Sequence, residues 1–138
     1  MSNTNRYRYG KQDFVALPVA TGTAVEIGDM LKLDTGLGVV VTAATDNLAL
    51  HAIAMQAHVA DSGATTIRCS LLKPGVVYEF ALNAETSITY GDELQISGAQ
   101  ELKKSATDPV AIAVETNATA TKIRCIFMSS VLLTGDAS

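Results

Sequence analysis

Large aromatic anchors are nearly missing from this chain: it has no tryptophan, and aromatic residues make up 5% of its 138 positions. A core built under that restriction must come from Val, Ile, Leu and Ala, which pack densely but offer few broad contact plates. Charge is scarce as well. Asp, Glu, Lys and Arg amount to 17%, below the roughly 25% of an ordinary soluble domain, which fits a surface partly hidden against a partner. No apolar run reaches the length of a membrane span, and the first residues lack a signal peptide's apolar core. The expectation is a protein made in the cytoplasm, off the membrane, with its two cysteines reduced. Cys69 and Cys125 each follow an Ile by two positions, so alternation turns both inward as small hydrophobes, ahead of a disulfide or metal role.

Convergent chemistry is also missing. His51 and His58 stand seven apart, a spacing that fits no zinc pattern; one reads as a half-buried strand residue and the other as a loop residue. The Asp residues of Gly28-Asp29 and Gly91-Asp92 could form an acid–base pair. Their identical place in two tight turns explains them better. No serine or threonine lies in a nucleophile elbow. Gly36-Leu37-Gly38 runs into β-branched residues rather than into the helix start that a phosphate cradle needs. Asn117-Ala118-Thr119 matches a glycosylation acceptor, but without a signal peptide it is set aside. The reading is therefore not an enzyme, with no catalytic residues, no cofactor and no metal.

What the chain does have is one stretch written twice. Val25-Glu26-Ile27-Gly28-Asp29-Met30-Leu31-Lys32-Leu33 answers Ile88-Thr89-Tyr90-Gly91-Asp92-Glu93-Leu94-Gln95-Ile96. Downstream, Ala52-Ile53-Ala54-Met55 answers Ala111-Ile112-Ala113-Val114, and Thr66-Ile67-Arg68-Cys69 answers Lys122-Ile123-Arg124-Cys125. The offsets fall from 63 to 59 to 56, as they would if each connecting loop of the second copy were shorter. We read an internal duplication, with repeats at about 24–82 and 87–133. At 138 residues the chain suits one core rather than two, so residues 14–138 are expected to form one pseudo-symmetric domain.

Local patterns favour strands. Pro18 marks 14–20 as an edge strand or an extended lead-in. Apolar runs around Thr35-Gly36 predict a hairpin. Residues 46–60 are ambiguous alone, but their partner around Val110–Glu115 is β-branched, so the centre of both is read as strand, with a helical turn near Asp46. Residues 65–72 alternate, which sends Ile67, Cys69 and Leu71 inward and Arg68, Ser70 and Leu72 outward. Lys73-Pro74-Gly75 is a turn, 76–82 a strand, and further strands follow near 93–97, 100–104, 110–115, 122–128 and 131–133. The predicted class is all-β, a barrel or sandwich.

Residues 1–13 are polar and aperiodic, and read as an extended N-terminal arm. With Arg6, Arg8 and Lys11 against Asp13 the arm carries +2; the whole chain carries −4, so the body carries −6. An acidic body argues against bulk nucleic-acid binding. The alternating Arg6-Tyr7-Arg8-Tyr9 is then a disordered tail or a protein-docking segment, since Tyr and Arg are common anchors. Arg68 and Arg124, the two arginines outside the arm, sit at matched strand positions. They are either solvated or interface contacts. The candidate capsid or subunit interface residues are Arg6, Tyr7, Arg8, Tyr9, Lys11, Phe14, Arg68 and Arg124.

Across residues 15–128 the sequence resembles the small capsid decoration, or cement, proteins of tailed bacteriophages. The resemblance lies in Thr23-Ala24-Val25-Glu26-Ile27-Gly28-Asp29-Met30-Leu31 followed by Gly36, in Ala52-Ile53-Ala54, and in Leu72-Lys73-Pro74-Gly75-Val76-Val77-Tyr78-Glu79. Ala52 stands where that pattern usually has glycine. The resemblance implies a virion protein on the outer capsid surface that trimerises and stabilises the major capsid protein lattice. The arm, which has no family counterpart, is expected to be dispensable for folding and needed for attachment. The alternative expectation is a head-fibre base or surface adhesin that binds host glycans.

Overall fold

The structure is a computed structural model that describes residues 6–9, as backbone, and residues 13–128. Eleven strands are present among the described residues: β1 (Arg6–Tyr9), β2 (Phe14–Pro18), β3 (Met30–Asp34), β4 (Leu37–Val40), β5 (Leu50–Ala54) and β6 (Thr66–Leu71), then β7 (Val77–Ile88), β8 (Glu93–Gly98), β9 (Glu101–Lys104), β10 (Ala111–Ala113) and β11 (Asn117–Phe127). A short 3₁₀ turn at Ala44–Ala49 matches the turn expected near Asp46. The all-β class is as predicted.

The strands form two bodies. In the first, five strands run in the order β2-β6-β5-β3-β4. In the second, β7-β11-β10-β8-β9 closes into a five-strand barrel because β9 returns beside β7, pairing Ala81 with Glu101 and Leu82 with Leu102 in parallel. Counted from its own first strand, each body follows the same order. The predicted hairpin is β3–β4, which turns at Thr35 and Gly36 with positive φ at both. Strand β7 was expected to end the first repeat, near residue 82. Its ladder with β11 instead makes it the first strand of the second body.

The first body curls without closing. Its edge strands β2 and β4 meet at Gly38, where an added Cβ would lie 2.6 Å from Leu17 Cδ2. Inside the curl lies a small core of Leu17, Val25, Leu31, Ala52, Ala54, Ile67 and Cys69. The opposite face of the same sheet packs on the barrel: Met30, Leu50, Ile53 and Leu72 join Phe80, Ile96, Ile123 and Phe127 in the larger core. This explains a departure from the predicted alternation of β6. Ser70 and Leu72 are fully buried, while Leu71 is only half-buried. A sheet with cores on both faces has no solvent face at its centre. Ser70 then requires a partner, and its hydroxyl meets the Tyr78 hydroxyl at 2.6 Å.

Part of the segment read as an extended arm is paired. Strand β1 pairs antiparallel with β7, with Arg6 opposite Glu79 and Tyr9 opposite Val77. The edge of β7 is thus shared by β1 and, further along, β9.

Candidate functional site

The twice-written stretch folds into one device built twice. Gly28 and Gly91 both have φ of 96°, a conformation that only glycine adopts without strain. Gly28 donates its N–H to the Ala54 carbonyl (2.9 Å), and Gly91 donates to Ala113 (2.8 Å). Ala54 and Ala113 donate back to the carbonyls of Asp29 and Asp92, each at 2.9 Å. The Asp29 carboxylate accepts the Glu26 N–H (2.9 Å), and that of Asp92 the Thr89 N–H (2.8 Å). Both carboxylates therefore tie a turn to its own backbone. They differ only in what else they meet: buried Asp29 accepts from Gln100 Nε2 at 2.9 Å, whereas Asp92 pairs with Lys104 at 3.3 Å. The Thr89 N–H, with the Lys104 ammonium, holds Asp92 below the usual carboxylate range. Gln100 also donates to the Ile27 carbonyl at 3.2 Å and so links the barrel to the first Gly-Asp turn.

Arg68 and Arg124 are held by equivalent bonds. The Arg68 N–H is accepted by Gln56 Oε1 and the Arg124 N–H by Glu115 Oε1, both at 2.9 Å. Their carbonyls accept from Met55 and Val114, again at 2.9 Å. The surroundings diverge from there. Arg124 is half-buried and lies opposite Glu79 in the β11–β7 register. Arg68 is exposed and lies opposite Ala16, and its guanidinium carbon sits 4.4 Å from the centroid of the Phe14 ring. Phe14 remains 45% exposed. A stacked guanidinium keeps its in-plane donors available for an acceptor.

Around this stack is an open groove of about 410 Å³, lined by Phe14, Val15, Ala16, Gln56, Thr66, Ile67 and Arg68. Two predicted interface residues, Phe14 and Arg68, are thus brought together. Arg124 lies on the other body, on β11. For Arg6, Tyr7, Arg8 and Tyr9 the structure gives only the β1 backbone, and Lys11 lies outside the described residues. Sequence reasoning missed Gln56, Ala16 and Thr66. Gln56 was within reach, because the offset of 59 that aligns Ala52 with Ala111 also aligns Gln56 with Glu115.

The histidines and cysteines do not line this groove. His58 is buried, with Nε2 2.9 Å from the Ala64 carbonyl and Nδ1 2.5 Å from that of Thr23. Those two acceptors raise its pKa above the ordinary 6.5. Half-buried His51 on β5 is shifted down by burial. Cys69 and Cys125 are free and buried. Burial pushes the Cys69 thiol up to about 11, and burial with the nearby Glu115 charge pushes Cys125 up as well. Burial thus favours the thiol over the thiolate at both sites. No protein-family model matches the chain, and no curated protein matches it either.

Proposed function

We propose that the chain is a structural virion protein, a decoration or cement protein of a tailed-phage capsid. It binds the outer capsid surface as a homotrimer and braces the major capsid protein lattice, without a catalytic centre. The observation that carries this reading is the Gly-Asp device. The residues that bear the resemblance form the same bonds twice, from Gly28 to Ala54 and from Gly91 to Ala113. We read that bond-for-bond match, with the common strand order, as internal duplication in a single pseudo-symmetric domain.

Bracing a shell requires no chemistry, only unequal binding of two lattice states. The exposed Phe14–Arg68 stack supplies an aromatic and a planar cation, the side chains most often found at the centre of interfaces. The basic arm adds a further contact. Deleting residues 1–13 is expected to weaken capsid attachment; undiminished attachment removes the arm from the reading.

The deciding experiment is sedimentation of the purified protein, alone and mixed with undecorated expanded phage shells. Saturable co-sedimentation, with shells that then survive heating better, is the expected result. A protein that ignores shells overturns it and directs the next assay to glycan arrays, since a fibre base or adhesin was the alternative expectation.

A further inference from the structure

The two bodies give Arg68 and Arg124 the same backbone and opposite company. Arg124 lies opposite Glu79 on β7, and its N–H is held by Glu115 Oε1 at 2.9 Å. Arg68 lies opposite Ala16 on β2, and its N–H is held by Gln56 Oε1, also at 2.9 Å. Both carboxylates beside the second arginine are thus replaced by neutral side chains beside the first. One further replacement goes with them. Ser70 and Ile126 are matched by the offset of 56, and they lie opposite Phe14 and Val77. An aromatic ring therefore stands where the barrel has valine, and it carries the Arg68 guanidinium 4.4 Å from its centroid.

The result is a cation held in place without its counter-charge. Among the described residues Arg68 has no carboxylate partner, and no acidic residue lines the groove around it. Gln56 spends its amide oxygen on the Arg68 N–H, which leaves its NH₂ group to donate. The Thr66 hydroxyl on the groove wall adds a donor. Stacking leaves the in-plane N–H groups of the guanidinium for a planar acceptor, and a carboxylate matches their fork. The surroundings select what carries that carboxylate. The groove is open and Phe14 is exposed, whereas sites for free small ligands enclose most of the ligand. Residues 14–138 carry −6, which repels a polyanion such as an acidic glycan. A single carboxylate on a protein surface fits both conditions.

We propose that the Phe14–Arg68 groove is a receptor for the carboxylate of an Asp or Glu side chain on a protein partner. That carboxylate takes the place beside Arg68 that Glu79 holds beside Arg124. On the capsid reading the partner is the major capsid protein. For its partner the inference rests on that reading; for its chemistry it rests on the comparison of the two bodies alone.

Ala16→Glu tests the chemistry without any partner, because it writes the barrel's carboxylate into the first body. Directly opposed side chains on paired strands have Cβ atoms about 5 Å apart, so the new carboxyl reaches Arg68. Its pKa, followed by NMR, is expected to fall below the free value of about 4.3. The fall is expected to disappear when Ala16→Glu is combined with Arg68→Gln. An unshifted carboxyl overturns the receptor. Sedimentation with shells then tests the partner. Ala16→Glu fills the groove from within, and Arg68→Gln removes the cation. Each is expected to need about tenfold more protein to half-saturate the shells, as loss of one charge-assisted contact predicts. Ala16→Gln, of equal bulk without the charge, is expected to bind like wild type, as is Lys103→Gln, which removes an exposed cation elsewhere. Equal weakening by Ala16→Gln means that bulk rather than charge is sensed, and overturns the proposal. If wild type binds shells and both groove variants bind equally well, this inference falls and the capsid reading stands. If wild type ignores shells, the capsid reading falls with its partner, while the pKa shift still decides the receptor. Binding of acidic glycans that requires Arg68 overturns the protein partner.

Discussion

At the residue scale, His58 carries the clearest pH dependence. A neutral imidazole can donate to only one carbonyl, yet Ala64 and Thr23 both present acceptors to the ring. The folded protein therefore holds the second proton more tightly than the unfolded chain does. Stability from this site is fully present below the unfolded value near 6.5 and is lost as pH rises through the higher folded value. From pH 6 to pH 8 the melting temperature of wild type is expected to fall relative to that of His58→Gln, by thermal denaturation of both across that range. Tyr78 offers a second test. Its ring packs edge-on against Phe80 and Phe127, with centroids 6.4 and 5.9 Å away, while its hydroxyl meets Ser70. Tyr78→Phe keeps the ring and removes the hydroxyl that meets Ser70. A loss of about 0.5–1.5 kcal/mol is expected in urea unfolding.

At the element scale, turns decide how strands meet. Gly91 has open space where a Cβ would go, so Gly91→Ala isolates the cost of φ at 96°. That cost is about 1–3 kcal/mol; an unchanged denaturation midpoint would mean the Gly-Asp turn relaxes freely. The β3–β4 hairpin carries the opposite opportunity. Thr35 is β-branched yet has φ of 51°, a region where Asn is better tolerated. Thr35→Asn is expected to stabilise by on the order of 1 kcal/mol, read from the same curves. Beyond this hairpin, Asp46 holds the 3₁₀ turn by accepting from the Thr42 and Ala43 N–H groups and from Lys32 at 2.8 Å. Burial alone would raise its pKa, but those three donors win and lower it. Its contribution is therefore present above the ordinary 3.8 and is lost as pH falls below it.

At the scale of the whole molecule, the two bodies share their larger core. Met30 and Ile53 of the first sheet pack with Phe80 and Phe127 of the barrel, and Met30 donates its N–H to the Ala99 carbonyl at 2.8 Å. Unfolding either body exposes apolar surface of the other. A single cooperative transition is expected, with equal calorimetric and van't Hoff enthalpies. Two resolved transitions would mean that the shared core contributes little.

The sequence by itself determined the strand class, the hairpin at Thr35-Gly36, the inward cysteines and the Gly-Asp turns. Each depends on neighbours within a few positions, or on a pattern repeated at a near-constant offset. It also marked Phe14 and Arg68, though not that they stack. Tertiary structure alone decided the rest. Whether β7 belongs to the first repeat or the second depends on pairing with β11, some forty residues away, which no local pattern encodes. Ser70 and Leu72 became buried because a second body covers the sheet's outer face, whereas alternation assumes that one face meets water. The groove at Arg68 exists because β2, β6 and the segment carrying Gln56 converge. The barrel closes because β9 reaches β7, while the first body stops at the contact of Gly38 with Leu17. Closure and convergence are properties of packed sheets, set by long-range pairing rather than by the order of residues along any one strand.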